Sequence, residues 1–185
     1  MFVVTVASID SGFLKDTSKL AARATSSAIN KTMKTVRSRV ATEAAEQLKI
    51  KKGVVMKRLF LRGAQRTRLE STLSLFGAKV PLASFGARSV NVRGASGKKR
   101  KGVTVVVRGV RQRVDGGFLA TMPNGKVGVF MRKGEDRLPI KELFSNDLKA
   151  MLTAGTGFLS SIQGFARETL KKNYIREKQY FLTRR

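Results

Sequence analysis

The sequence predicts an α+β fold: a small, mostly antiparallel sheet packed with a long N-terminal helix and followed by a C-terminal helix or arm. Three stretches carry the prediction. Apolar residues recur at mostly four-residue steps from Leu20 to Leu48, the period of a helix buried along one stripe. Val103 to Val107 is rich in β-branched side chains, which favour a strand. Phe118 to Met122 and Val127 to Met131 flank Pro123-Asn124-Gly125, where proline presets one backbone angle and glycine tolerates a positive φ, so the stretch spells a β-hairpin. A chain of 185 residues, 42% hydrophobic, can supply a modest core. Residues 1–185 read as a single domain, with the long helix at about 17–48, a basic β region at about 67–143 and C-terminal helices and arm at about 145–185.

In chain order, Phe2 to Val6 can form a short strand before Asp10, Ser11 and Gly12 break it. Asp16, Thr17 or Ser18 offers an N-cap to the long helix. Its stripe, Leu20, Ala24, Ala28, Met33, Val36, Val40, Ala44 and Leu48, is narrow and alanine-rich, which suits close approach to a sheet or another helix. Lys49-Ile50-Lys51-Lys52-Gly53 ends it, with lysines against the negative end of the helix dipole and glycine as the stop. Val54, Val55, Arg58 and Leu59 fit a second, short helix, while Leu59-Phe60-Leu61 equally begins a strand. From Thr67 the period becomes two, with Leu69, Ser71, Leu73 and Leu75 facing one way and Glu70, Thr72, Ser74 and Phe76 the other. That strand closes at Gly77. Val80-Pro81-Leu82 and Phe85-Gly86 form an irregular connection, and Ser89 to Val92 another short strand.

Gly94 to Gly102 then interrupts the sheet with an exposed basic loop, Lys98-Lys99-Arg100-Lys101, whose adjacent like charges are expected to order only against a partner. Val103 to Val107 is expected to pair with the hairpin at Phe118 to Met131. Proline holds Arg137-Leu138-Pro139-Ile140 extended and opposes a helix through it. Ser145 or Asn146 is expected to cap a short helix through Met151 and Leu152, which Gly155 and Gly157 break. A final helix from Phe158 places Phe158, Ile162, Phe165, Ala166, Leu170 and Tyr174 on one side. Its charged continuation from Arg176 to Arg185 carries Tyr180, Phe181 and Leu182, a trio suited to packing on a neighbour.

Charge is the strongest compositional fact: 38 basic and 12 acidic residues give a net +26. A self-repelling chain of this kind implies an acidic partner, whether a polyanion or an acidic protein surface. The field is concentrated from Gln47 to Val114, which holds 18 Lys and Arg and one acid, Glu70. Without cysteine or histidine, disulfides, thiolate zinc sites, imidazole bases and cysteine nucleophiles are excluded. The close acid pairs, Glu43 with Glu46 and Glu135 with Asp136, lack a third ligand, and no phosphate-binding or dinucleotide glycine spacing occurs. No cofactor is called for. No apolar run approaches the ~20 residues that span a bilayer, and no basic leader precedes the first apolar stretch, so a soluble protein made in a cytoplasm is expected.

The order of elements and three blocks of residues resemble the prophage minor tail protein Z family. The blocks are Gly117-Phe118-Leu119-Ala120-Thr121-Met122, Gly125-Lys126-Val127-Gly128-Val129-Phe130-Met131-Arg132 and Arg137-Leu138-Pro139-Ile140-Lys141-Glu142-Leu143. In relatives an aromatic-Gly-Pro-Ser turn often follows; here the chain reads Phe144-Ser145-Asn146-Asp147. The resemblance implies a structural tail completion protein at the head-proximal end of a tailed phage, present in host cytoplasm during assembly and then in the virion. It implies a subunit that forms a ring with itself, commonly sixfold, between tail terminator or tube proteins and the neck connector, with DNA in the lumen as a further partner and no membrane. Phe118, Gly125, Val129, Phe130, Arg132, Arg137, Leu138, Pro139, Ile140 and Leu143 become its candidate contact residues, and Lys98, Lys99, Arg100 and Lys101 face a partner or DNA. Glu135 or Asp136 is expected to neutralise Arg132 and Arg137 across their shared turn. Nonspecific nucleic-acid binding, argued from net charge alone, stands as the alternative.

Overall fold

The structure, a computed structural model, describes residues 2–5, 19–76, 79–93, 99–148 and 157–183. Among them the chain forms two long helices, one short helix and four small antiparallel sheets, an α+β fold. The expected N-cap at Asp16 to Ser18 lies outside the described residues.

Helix α1 spans Lys19–Leu48, about 45 Å at ~1.5 Å per residue. It buries Ala24, Ala28, Met33, Val36, Val40, Ala44 and Leu48, the stripe read from its spacing, and widens it with Ile29, Ala41 and Ala45. Lys49, at φ 53°, takes the left-handed conformation that ends the helix. Gly53 is therefore not the stop; it lies inside α2, Lys52–Met56. The last helix, α3, spans Phe158–Thr183 and buries Phe158, Ile162, Ala166, Leu170 and Tyr174.

The two long helices lie antiparallel, as the side chains that join them show. Arg39 stacks over Phe165 with its guanidinium 5.5 Å from the ring centroid. Thr32 Oγ1 accepts from Asn173 Nδ2 at 2.9 Å. Lys31 Nζ and Ser27 Oγ both donate to the Glu177 carboxylate, at 2.6 and 2.7 Å. Arg23 lies 5.9 Å from the Phe181 ring centroid. Moving back along α1 thus moves forward along α3 by a matching number of residues.

A three-stranded sheet packs on α1 in the order β1-β3-β2, formed by Phe2–Thr5, Thr72–Leu75 and Leu59–Arg62 respectively. Leu59, Leu73 and Leu75 are buried, while Phe60, at the alternate position of β2, is 57% exposed. The side-chain amide of Asn30 on α1 bonds both backbone groups of Ala64, accepting at 2.8 Å and donating at 2.9 Å, and so fastens the turn after β2. Strand β3 starts later than its period-two pattern suggests because Gln65 and Arg68 exchange backbone bonds of 2.9 and 3.0 Å, folding the chain into a tight turn first.

Strand β4, Lys79–Pro81, leads into a 3-10 turn at Leu82–Phe85 that buries Phe85 completely. A meander follows: β5 at Arg88–Arg93, β6 at Lys99–Val107 and β7 at Val110–Asp115. A second comprises β8 at Gly117–Thr121, β9 at Val127–Arg132 and β10 at Ile140–Glu142. Contrary to the sequence expectation, Val103 to Val107 pairs with β5 and β7 and not with the hairpin. The reason is the two-residue connection Arg108-Gly109, both at positive φ (52° and 80°), a conformation that returns a strand directly onto its neighbour. Ser145 and Asn146 do not cap a helix; they lie in β11, Phe144–Asp147, which the bond from Leu82 N to the Leu143 carbonyl (3.0 Å) draws against β4. The helix expected through Met151 and Leu152 falls outside the described residues. Val80, Phe85, Val103, Val105, Val129 and Leu148 join the buried residues of both long helices in one hydrophobic core.

A candidate assembly surface

Among the described residues no three acidic side chains come together as a metal site, and no helix is long and apolar enough to cross a membrane. The motif-bearing stretch from Gly117 to Leu143 forms the β8-β9-β10 meander, with the hairpin read from the sequence and Phe118 paired opposite Phe130. Its turn closes through Met122 N to Lys126 O (2.9 Å) and Gly125 N to Met122 O (2.8 Å), with Gly125 at φ 76°.

Most motif residues in this meander hold the fold. Val129 is fully buried and Phe130 is 5% exposed. The Phe130 ring lies across Gly128 so closely that a Cβ there would meet ring carbons at 2.7 Å. Glycine at this position is what lets the aromatic lie down. Phe118 stands 6.1 Å from Phe130 between ring centroids, and the Arg132 guanidinium lies 5.9 Å from the centroid of Phe118. Leu143 N donates to the Val129 carbonyl at 2.8 Å, and its half-buried side chain packs against the core. Ile140, also half-buried, pairs with Arg132 where β10 begins. Lys126 Nζ and Glu142 Oε2 form a 2.7 Å ion pair, a contact without a sequence signal because the two residues meet only through strand register.

The remaining motif residues face solvent. The turn between β9 and β10 is closed by Lys133 N to the Pro139 carbonyl (3.1 Å), and the Leu138-Pro139 peptide is cis. Leu138, at 67% exposure, is the most exposed large apolar side chain among the described residues. Arg132, Arg137 and Pro139 are exposed around it. Glu135 and Asp136 do not neutralise the arginines: among the described residues no ion pair joins them, because Arg132 leans back onto Phe118 and the acids stay in solvent.

The basic run is not a loop over most of its length. Lys99, Arg100 and Lys101 belong to β6 and pair with Arg93, Val92 and Asn91 of β5; Lys98 lies outside the described residues. The backbone of these three residues lies in strand geometry, bonded to β5. Further along the same meander Arg88, Arg111 and Arg113 are exposed, with Arg88 and Arg113 in register on either side of Thr104. Asp115 pairs with Arg113 at 2.5 Å.

A second exposed element was missed in the sequence reading. Phe60 and Phe76, 57% and 48% exposed, meet edge to face with centroids 4.8 Å apart on the outer side of the β1-β3-β2 sheet. The sequence held a signal for it: if β2 buries Leu59 and Leu61, the residue between them must face outward.

The buried charge belongs to the helix pair. Glu177, 3% exposed, has its carboxyl raised by burial, but the hydrogen bonds from Lys31 and Ser27 and the charges of Lys31 and Arg176 outweigh this and hold it below the usual carboxylate range. That is a helix-to-helix fastening, with no second acid bonded to it among the described residues.

Comparison with known families adds an independent observation. The description "Prophage minor tail protein Z (GPZ)" fits residues 12–183. The chain belongs to that family. As a minor tail protein it is a structural component of a phage tail, found with other tail proteins in the virion. No curated protein and no solved structure matches it. The minor tail protein Z signature therefore runs through both long helices as well as the β8-β9-β10 meander.

Proposed function

We propose that this minor tail protein Z chain is a non-catalytic tail completion subunit that closes into a ring with copies of itself, commonly sixfold, at the head-proximal end of the tail. There it joins tail terminator or tube proteins to the neck connector. The observation that carries this reading is the family match over residues 12–183. Its support is a structure whose motif residues end in an exposed turn and not in a reactive site. The basic β5-β6-β7 meander then faces acidic neighbouring rings or the DNA passing through the lumen.

Electron microscopy and native mass spectrometry of the purified protein test the ring: closed particles of one stoichiometry are expected. Gold labelling of tagged copies at the head-proximal end of intact tails tests the location. A second reading, a nonspecific nucleic-acid-binding protein, is favoured by the exposed Arg88, Arg111 and Arg113. Monomeric protein that binds duplex DNA with a steep salt dependence and is absent from particles would replace the assembly reading with this one.

A further inference from the structure

A subunit that closes into a ring through head-to-tail contacts must carry two different surfaces that fit each other. Resting on the ring reading above, we propose that these are the β9–β10 turn, with Leu138 as a knob beside Glu135 and Asp136, and the Phe60–Phe76 pair beside Arg62 on the next copy.

The argument begins with acids, which are scarce in a chain of net charge +26. Several are committed internally: Glu43 to Arg39, Asp115 to Arg113, Glu142 to Lys126 and Glu177 to Lys31. Glu135 and Asp136 are the one adjacent acidic pair in the sequence, and both are exposed without an ion pair among the described residues. They lie two and three residues before Leu138, so one turn presents an unpaired acidic pair and the most exposed large apolar side chain together. A lone exposed leucine is ordinary, but beside an unpaired acidic pair in one turn it makes a patch that a surface both apolar and basic can cover.

The facing surface has the complementary character. Strand β2 is the edge of its sheet, and among the described residues no strand pairs with its outer side. Phe60 projects from this edge strand against Phe76, forming an aromatic platform at which Leu138 can bury its side chain. Arg62, two residues beyond Phe60, shares its side of the strand and is exposed, with no acidic partner among the described residues. The contact brings apolar to apolar and acid to base. A like-with-like arrangement would place Arg62 against Arg62, or Glu135 against Glu135, which electrostatics opposes. The complementarity therefore selects a second copy in head-to-tail orientation.

The absence of cysteine makes the test direct. Leu138→Cys and Phe60→Cys chains are prepared separately and treated with a short bismaleimide, under conditions where native mass spectrometry shows association, or in assembled tails if the free protein is monomeric. Cross-linked dimers are expected in the mixture and not with either variant alone; a mixture of Leu138→Cys with Val110→Cys, an exposed apolar position elsewhere, is expected to stay uncrosslinked. Arg62→Glu should weaken association at least about tenfold, and Glu135→Lys with Asp136→Lys on the partner chain should restore most of it. Circular dichroism confirms that each variant is folded. Oligomers that form without this cross-link, or cross-links within a single variant, overturn the contact while leaving the ring reading intact. Monomers both in solution and in particles overturn the ring reading and the contact with it.

Discussion

The paired helices and the strand-bearing part of the molecule treat their apolar residues differently. Between α1 and α3 the apolar stripe is closed over, and its margins are sewn by Glu177 with Lys31 and Ser27 and by Asn173 with Thr32. In the strand-bearing part, Phe60, Phe76, Val110, Leu119, Val127, Met131, Leu138 and Phe144 remain exposed, eight of the eleven large apolar side chains in that condition among the described residues. The helices leave three exposed, Ile175, Tyr180 and Leu182, all in the second half of α3. The difference teaches that stability and contact are drawn from separate regions, so mutations in the two should separate into loss of folding and loss of assembly.

The largest expected effect comes where both regions share one core. Phe85, fully buried in the 3-10 turn, belongs to the core that the helices and the meanders share. Phe85→Ala should cost about 3–5 kcal/mol in chemical denaturation. If it left stability unchanged, the shared core would be an error. Gly128→Ala should cost about 1–3 kcal/mol, because the added carbon meets the Phe130 ring, and the double variant Gly128→Ala with Phe130→Leu should recover part of it.

Two substitutions sharpen the helical side. Asn30→Ala removes both bonds to Ala64 and should cost about 1–3 kcal/mol. Glu177→Gln should cost about 1–2 kcal/mol at neutral pH. Its pH dependence has a definite sign. Because the folded-state pKa of Glu177 is lowered, its contribution is present above the usual carboxylate pKa and is lost as pH falls through the lower folded value. The stability gap between wild type and Glu177→Gln should therefore narrow in acid, measured by denaturant midpoints across that range. The smallest effect on folding is expected for Leu138→Ser, within about 0.5 kcal/mol of wild type by the same measurement. Loss of ring particles in that folded variant would complete the separation of the two regions.

Much of this architecture was legible in the residues. Period and length gave α1, α3 and the Phe118 to Met131 hairpin, because each is specified by its own apolar spacing and its own turn. What was not legible depended on partners far along the chain. The strand at Phe144–Asp147 was mistaken for a capped helix because Ser145 and Asn146 suit a cap; the opposing β4 decides otherwise. The basic run looked like a loop because repulsion is visible locally and cross-strand bonding is not. β7 was overlooked since Val110 to Asp115 carries two arginines and little apolar weight, and Arg108-Gly109 is what turns it back. Of the candidate site, the family blocks were readable as motifs. Their separation into bracing residues such as Val129 and exposed ones such as Leu138 required the strands' register.

The seam between the long helices has a further consequence. The buried residues of α1 include five alanines, Ala24, Ala28, Ala41, Ala44 and Ala45, beside the larger Ile29, Met33, Val36, Val40 and Leu48. Apolar contacts are not directional, so they distinguish less sharply than hydrogen bonds between offsets of α3 that differ by one turn, about 5.4 Å. Sliding by that distance would carry Glu177 away from Lys31 and Ser27 and leave a carboxylate stranded against apolar neighbours. The buried acid thus works as a detent: its directional bonds to Lys31 and Ser27 select one helix offset where apolar packing is less particular.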